Sequence, residues 1–157
     1  KTPKNSNPTE KKGMLKKLNL FAHQKAYFSC INYGTWKCIS TNEEFTPDEH
    51  YSITLVSGIA NPNPLVDYLQ NVGHKVKHLK FADHHNYSSN DITNILNKYN
   101  QDNSAKKLIL TTEKDATKLR VFEGEFGTVN VYYIPIEIDF EGKEKFEKQI
   151  LNYVAKN

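Results

Sequence analysis

Arginine is nearly missing from this chain: Arg120 is the only one among 21 basic residues. Proteins that grip nucleic acid lean on guanidinium groups set in a basic body. Here the net charge of +3 hides the opposite arrangement. Lysines 1, 4, 11, 12, 16, 17 and 25 against Glu10 give residues 1–25 a net of +6, and residues 26–157, with 14 basic and 17 acidic groups, carry −3. An acidic domain with one arginine argues against nucleic acid. Long apolar runs are also missing: nothing approaches the roughly 18 residues of a membrane span, and no secretory signal pattern is visible. Cysteine is scarce, with Cys30 and Cys38 alone, so no disulfide framework holds the fold and reduced thiols are the default. A Gly-rich phosphate loop of the form G-x-x-x-x-G-K-[ST] is absent as well. Repeats and low-complexity tracts do not occur.

What is present is a regular alternation of strand and helix signals. Ile53-Thr54-Leu55-Val56 is a short β-branched run, followed by Asn61 as a helix cap and Pro62 as a first helical residue. Leu65, Val66, Leu69 and Val72 then fall at helical spacing, with Gly73 as the stop. Val76, Leu79 and Phe81 predict a second strand. Ser88 with Asp91 is a capping box ahead of the Ile92, Ile95, Leu96, Tyr99 stripe. Leu108-Ile109-Leu110 is a third strand, Thr112 with Asp115 a second capping box, and Val129–Ile136 a fourth strand. Phe146, Ile150 and Val154 mark a closing helix. Ala26–Ser40 reads as a β-hairpin around Tyr33-Gly34. A two-residue turn there points the two thiols to opposite faces, and a one-residue shift brings them opposite each other. The fold class expected is α/β: a three-layer α/β/α sandwich with a mainly parallel sheet, preceded by a two-stranded hairpin connector. Its 157 residues suit one domain burying roughly 70% of its unfolded surface.

Three polar segments each follow an apolar run and precede a helix: Gly58-Ile59-Ala60-Asn61-Pro62, Phe81-Ala82-Asp83-His84-His85-Asn86-Tyr87, and Thr111-Thr112-Glu113-Lys114-Asp115. In a parallel sheet they lie at the carboxyl ends of the strands, where ligands bind. In this order they closely resemble the C-terminal half of the tetraacyldisaccharide 4'-kinases, the lipid A 4'-kinases. Leu18-Asn19-Leu20-Phe21 with Gln24 and Tyr27-Phe28 resembles the segment entering that domain, and Tyr132-Tyr133-Ile134-Pro135-Ile136 the family's last strand. The resemblance covers the chain from about Leu18 onward.

The resemblance implies a kinase that moves the γ-phosphoryl of ATP to the 4'-hydroxyl of the tetraacyldisaccharide 1-phosphate precursor of lipid A. The family carries its phosphate loop and magnesium-binding acids in an N-terminal domain. The chain is therefore expected to be a C-terminal fragment, inactive alone, with ATP and Mg2+ bound by the missing domain and neither on this chain. Lys1-Thr2-Pro3 resembles a lysine–proline segment late in that domain. Residues 1–25 are then a basic leader, read as solvated and partly disordered or as lying on anionic lipid, 26–40 the connector between two α/β domains, and 41–157 the C-terminal domain. Implied partners are the lipid A precursor, the missing domain and the inner-membrane surface. The expected location is the cytoplasmic face of the bacterial inner membrane, the fragment itself being soluble. A rival reading is a non-catalytic α/β binding or scaffolding module.

His84 is the expected catalytic residue. Transfer to a sugar hydroxyl needs a group that accepts its proton, and a free imidazole titrates at about 6.5. In the family the histidine of this Asp-His motif forms a dyad with an aspartate of the N-terminal domain. Asp83 and Lys114 are expected to contact substrate, Asp83 alternatively holding loop amides or the His84 tautomer, and Lys114 alternatively serving helix structure. His85 reads as a partly exposed loop residue. Asp83-His84-His85 also resembles the metal signature of the DHH phosphoesterases, but the separate aspartate motifs of such a dinuclear site are missing. The family usually has arginine where Lys118 stands, and lysine cannot form the bidentate fork.

Overall fold

The computed structural model describes residues 6–156, so Lys1-Thr2-Pro3 lies outside the described residues. In chain order the elements begin with α1 (Pro8–Lys17), β1 (Ser29–Tyr33), β2 (Trp36–Cys38), β3 (Glu44–Phe45) and β4 (Ser52–Ser57). There follow α2 (Asn63–Asn71), β5 (Lys75–Lys80), α3 (Ser89–Asn100), β6 (Lys107–Thr112) and α4 (Glu113–Leu119). A 3-10 turn (Arg120–Phe122), α5 (Glu123–Phe126), β7 (Val131–Ile134), β8 (Ile136–Phe140) and α6 (Lys143–Val154) complete the chain. Two compact units emerge, one of residues Gly34–Pro135 and one built from the segments up to Tyr33 and from Ile136.

The larger unit is a six-stranded sheet in the order β3-β2-β7-β6-β4-β5. β7, β6, β4 and β5 are parallel, and β2 and β3 join antiparallel beyond β7. Side chains alternate across the strands. Val56, Ile109, Val131 and Tyr133 pack with Ile92 and Ile95 of α3 and with Ala116 and Leu119 of α4. Leu55, Leu108 and Leu110 are also buried and point the other way. That second face receives α2, because the right-handed crossover from β4 to β5 runs opposite to those from β5 to β6 and from β6 to β7. Leu65 and Leu69 are the buried positions of α2. Each such aliphatic side chain contributes roughly 1.5–3 kcal/mol. The result is the expected three-layer α/β sandwich.

Local chemistry fixes the helix ends. Ser88 and Asp91 form the expected capping box at α3. At α2 the cap moves by one residue: Pro62 is the N-cap, without a side-chain bond, and Asn61 Oδ1 instead accepts from the Asn63 N–H at 3.3 Å. A second proline, Pro64, fills the first turn where a missing donor costs nothing. Gly73, at φ +95°, stops α2, and a Cβ there would lie 2.5 Å from the His50 ring.

The smaller unit corrects the hairpin. β1 does not fold back on β2; it pairs antiparallel with β8, from Ser29 opposite Phe140 to Tyr33 opposite Ile136. β2 pairs with β3 and β7. The cause is Pro135, which has no N–H to give a ladder. It ends the run expected over Val129–Ile136 and frees Ile136–Phe140 to form a separate strand. Cys30 accordingly lies opposite Asp139 and Cys38 opposite Tyr132, and both thiols are free. The leader read as partly disordered contains α1, capped by a reciprocal Asn7–Glu10 box with Pro8 in its first turn. Among the described residues no helix is long and apolar enough to cross a membrane.

Candidate active site

The loops after β4, β5 and β6 leave the carboxyl ends of three neighbouring strands. β4 and β6 are adjacent, yet the chain leaves β4 for α2 on one face and β6 for α4 on the other. That divergence makes a topological switch point at the edge of the sheet, the usual ligand position in such folds.

Asp115 ties two of these loops together from within. Thr112 caps α4, its hydroxyl oxygen accepting from the Asp115 N–H at 3.1 Å. The carboxylate does not reach back to the Thr112 amide as a full capping box requires. Its Oδ2 accepts instead from the Thr112 hydroxyl at 2.7 Å and from the Gly58 N–H at 2.9 Å. Gly58 must be small: a Cβ there would stand 3.0 Å from the Ala82 carbonyl oxygen and 3.2 Å from Asp115 Oδ1. Asp115 Oδ1 and Tyr87 Oη are both buried with no hydrogen-bond partner among the described residues. Burial first, and then the nearby Asp115 charge, push the Tyr87 phenol far up, so it remains protonated. Tyr87 feels that carboxylate although no bond of standard geometry closes between them.

His84 stands on the rim. The Ala82–His85 turn is closed by the His85 N–H donating to the Ala82 carbonyl at 3.1 Å. His84 occupies its third position at φ +60°, in the left-handed region. Its N–H donates to Asp83 Oδ1 at 3.0 Å. The imidazole is 79% exposed, and its Nε2 lies 3.8 Å from Asp83 Oδ2, too far for a hydrogen bond. Asp83 thus holds the loop amide rather than the ring. Asp83 Oδ1 also accepts from Lys114 Nζ at 2.7 Å, and that contact holds the Asp83 carboxyl below the usual carboxylate range. Lys114 reaches the Gly58 carbonyl as well, at 3.4 Å.

His85 turns inward. Its Nε2 meets Asp91 Oδ2 at 3.1 Å, and its ring packs against Phe81 and Tyr87, with centroids 4.8 and 5.0 Å away. Burial opposes ionisation of Asp91, but hydrogen bonds from Ser88 and His85 outweigh it and keep its pKa below the ordinary value. Lys118 Nζ donates to the His85 carbonyl at 2.7 Å, an acceptor that asks for one donor and no fork. Arg120 points elsewhere, donating to the Ile39 carbonyl and to Asn42 and lying over the Tyr133 ring.

The three segments singled out in the sequence therefore meet, and His84, Asp83 and Lys114 share one rim. Sequence reasoning missed Lys118 as a loop donor and Asp115 as an inter-loop tie. The sequence offered only an acid three residues after a capping threonine, and its burial, which directs it to the Gly58 loop, is seen in the structure. Two hollows lie away from the rim: one of about 420 Å³ beside Ile39, Phe126 and Val131, another of about 270 Å³ beside Trp36, His50 and His74. The rim suits neither magnesium nor a dinuclear centre. Asp83 is ion-paired, Asp91 and Asp115 are engaged by loop donors, and among the described residues no three His, Cys, Asp or Glu side chains could hold a metal ion.

Comparison with known proteins shows what the chain is similar to. The family model for tetraacyldisaccharide-1-P 4'-kinase matches residues 3–155. The tetraacyldisaccharide 4'-kinase of Bacteroides thetaiotaomicron is 35% identical, with 100% of this chain and 45% of that protein covered. The enzyme of the same name from Flavobacterium johnsoniae is 32% identical over 100% of this chain and 44% of its own length. Among solved structures, the LpxK of Aquifex aeolicus crystallised with ATP matches at TM-score 0.51 and 25% identity, covering 85% of this chain and 38% of that one. The chain thus spans about half the length of the curated relatives it matches.

Proposed function

This chain belongs to the tetraacyldisaccharide-1-phosphate 4'-kinase family, and we propose that it forms the C-terminal, acceptor-side part of such an enzyme. The whole protein would transfer the γ-phosphoryl of ATP to the 4'-hydroxyl of the tetraacyldisaccharide 1-phosphate, at the cytoplasmic face of the inner membrane. The observation that carries this reading is the meeting of three separate loops on one rim, with an exposed imidazole at its edge and a lysine beside it.

In this account His84 accepts the proton of the sugar hydroxyl as that oxygen attacks phosphorus, one ring nitrogen taking the proton and the other facing a carboxylate of the rest of the protein. Lys114 and Asp83 contact the substrate, Lys114 lending its charge to an anionic group. Nucleotide and magnesium belong to the remaining part of the enzyme, since the rim has neither phosphate loop nor free carboxylate pair. Apolar surface supports a missing neighbour: Leu15, Leu18, Leu20, Phe21, Ile150, Leu151 and Val154 are all exposed on the smaller unit.

Assay of the full-length protein and of this chain alone tests the reading. The full-length protein should phosphorylate a tetraacyldisaccharide 1-phosphate with magnesium-ATP, and this chain alone should do neither that nor bind magnesium-ATP with micromolar affinity in a calorimeter. A full-length protein inactive on the lipid disaccharide, or tight nucleotide binding by the chain alone, contradicts it.

A further inference from the structure

The geometry points to Lys118 as a positioning residue for His84, an inference that rests on the reading of His84 as the proton acceptor. Among the described residues nothing hydrogen-bonds the His84 ring to fix it: Asp83 Oδ2 is 3.8 Å away and the side chain is 79% exposed. Its direction is set through the backbone, by the left-handed φ of +60° and by the two residues that flank it. Those flanks are gripped by one helix. Lys114 and Lys118 are one turn apart on α4 and so share a face. Lys114 bonds Asp83, the residue before His84, at 2.7 Å. Lys118 bonds the carbonyl of His85, the residue after it, also at 2.7 Å.

The His85 ring is clasped separately by Asp91, Phe81 and Tyr87. With its ring held on one side and its carbonyl on the other, His85 is a fixed post from which the His84 peptide turns outward. Removing Lys118 leaves the ring clasp intact but frees the carbonyl. The His85–Asn86 peptide can then rotate, the turn that ends at His85 shifts with it although its Ala82–His85 hydrogen bond remains, and the imidazole swings off the line of proton transfer. A displacement of about 1 Å at a reacting group is enough to cost on the order of 10²-fold in rate. Lys118 gives the carbonyl one N–H, and a guanidinium can supply one as well, so arginine should restore the bond.

The test uses the full-length enzyme with Lys118→Met, which keeps the apolar stem, and Lys118→Arg. Lys118→Met should lower kcat about 10- to 100-fold, with KM for magnesium-ATP unchanged and the melting temperature within a few degrees of wild type. Lys118→Arg should restore most of the rate. In a His84→Ala background Lys118→Met should cost nothing further. Carbon-13 labelling of histidine supplies a readout that does not depend on turnover: the His84 ring signal should shift or broaden in Lys118→Met and not in Lys118→Arg. An unmoved His84 signal, or an undiminished kcat in Lys118→Met, overturns the inference. So does a raised KM for the lipid at constant kcat, which marks Lys118 as a substrate contact. If His84→Ala alone keeps normal turnover, the proton-acceptor reading fails instead, and the ring signal still decides whether Lys118 positions His84.

Discussion

His84 stands at φ +60°, where an L-residue with a bulky Cβ substituent is strained by roughly 1–2 kcal/mol. Asparagine tolerates that region better, because its short polar side chain bonds locally. A turn selected for stability alone would put asparagine or glycine there. Replacing His84 with asparagine should therefore leave the protein as stable as wild type or more so, by up to about 1 kcal/mol, while removing activity. Equilibrium urea unfolding reads the first effect and turnover the second. A His84→Asn protein that is clearly less stable would mean that the imidazole holds the fold, and that the strain has no functional origin. His85 differs in kind: its ring is half-buried and engaged by Asp91, Phe81 and Tyr87. Two adjacent histidines that look alike in sequence thus face opposite ways, and only φ and burial tell them apart.

At the scale of elements, Asp102 links three of them, β4, β5 and β6, at the amino ends of the strands, the sheet edge opposite the rim. Its Oδ2 accepts from the Ser52 hydroxyl of β4 and pairs with Lys77 of β5 at 3.0 Å. Its Oδ1 accepts from the Ser104 N–H, and its carbonyl from Lys107 of β6 at 2.7 Å. The Ser52 hydrogen bond, followed by those from Ser104, drives the Asp102 carboxyl far below its ordinary value. A carboxylate depressed in the folded state adds stability above its unfolded pKa of about 3.9, and that stability is lost as pH falls through the folded value. Urea unfolding between pH 6 and pH 2 should thus show a loss of stability below about pH 4 that is reduced in Asp102→Asn. Equal acid sensitivity in the two proteins would show that Asp102 is not the group responsible. Most elements of this unit were legible, because each strand and helix carries its own local signal: the β-branched run of β4, the Ser88–Asp91 box of α3, the glycine after α2. The pairing of β1 was not. Its partner β8 lies more than 100 residues away, and no pattern within Ala26–Ser40 distinguishes a hairpin from two strands that join different sheets. Pro135 was the one signal that pointed there.

Across the whole molecule, the candidate site is spread over loops that share nothing in sequence but their place after a strand. Fold class and strand ends followed from periodicity, and parallel topology then placed Gly58, His84 and Lys114 together. What periodicity does not carry is the set of contacts between loops. The Asp115 bond to Gly58 and the Lys118 bond to the His85 carbonyl depend on how far each side chain reaches after the sheet has formed. The chain spans 45% of the Bacteroides thetaiotaomicron enzyme, and the other wall of the active site is proposed to lie in the remainder of the full-length protein. The most direct test is the single-turnover rate of phosphoryl transfer in that protein with His84→Ala, measured beside its affinity for magnesium-ATP and its thermal melt. The account predicts a chemical step slower by about 10²–10⁴-fold, with nucleotide affinity and melting temperature essentially unchanged. A near-normal rate, or a loss that merely tracks instability, would contradict it.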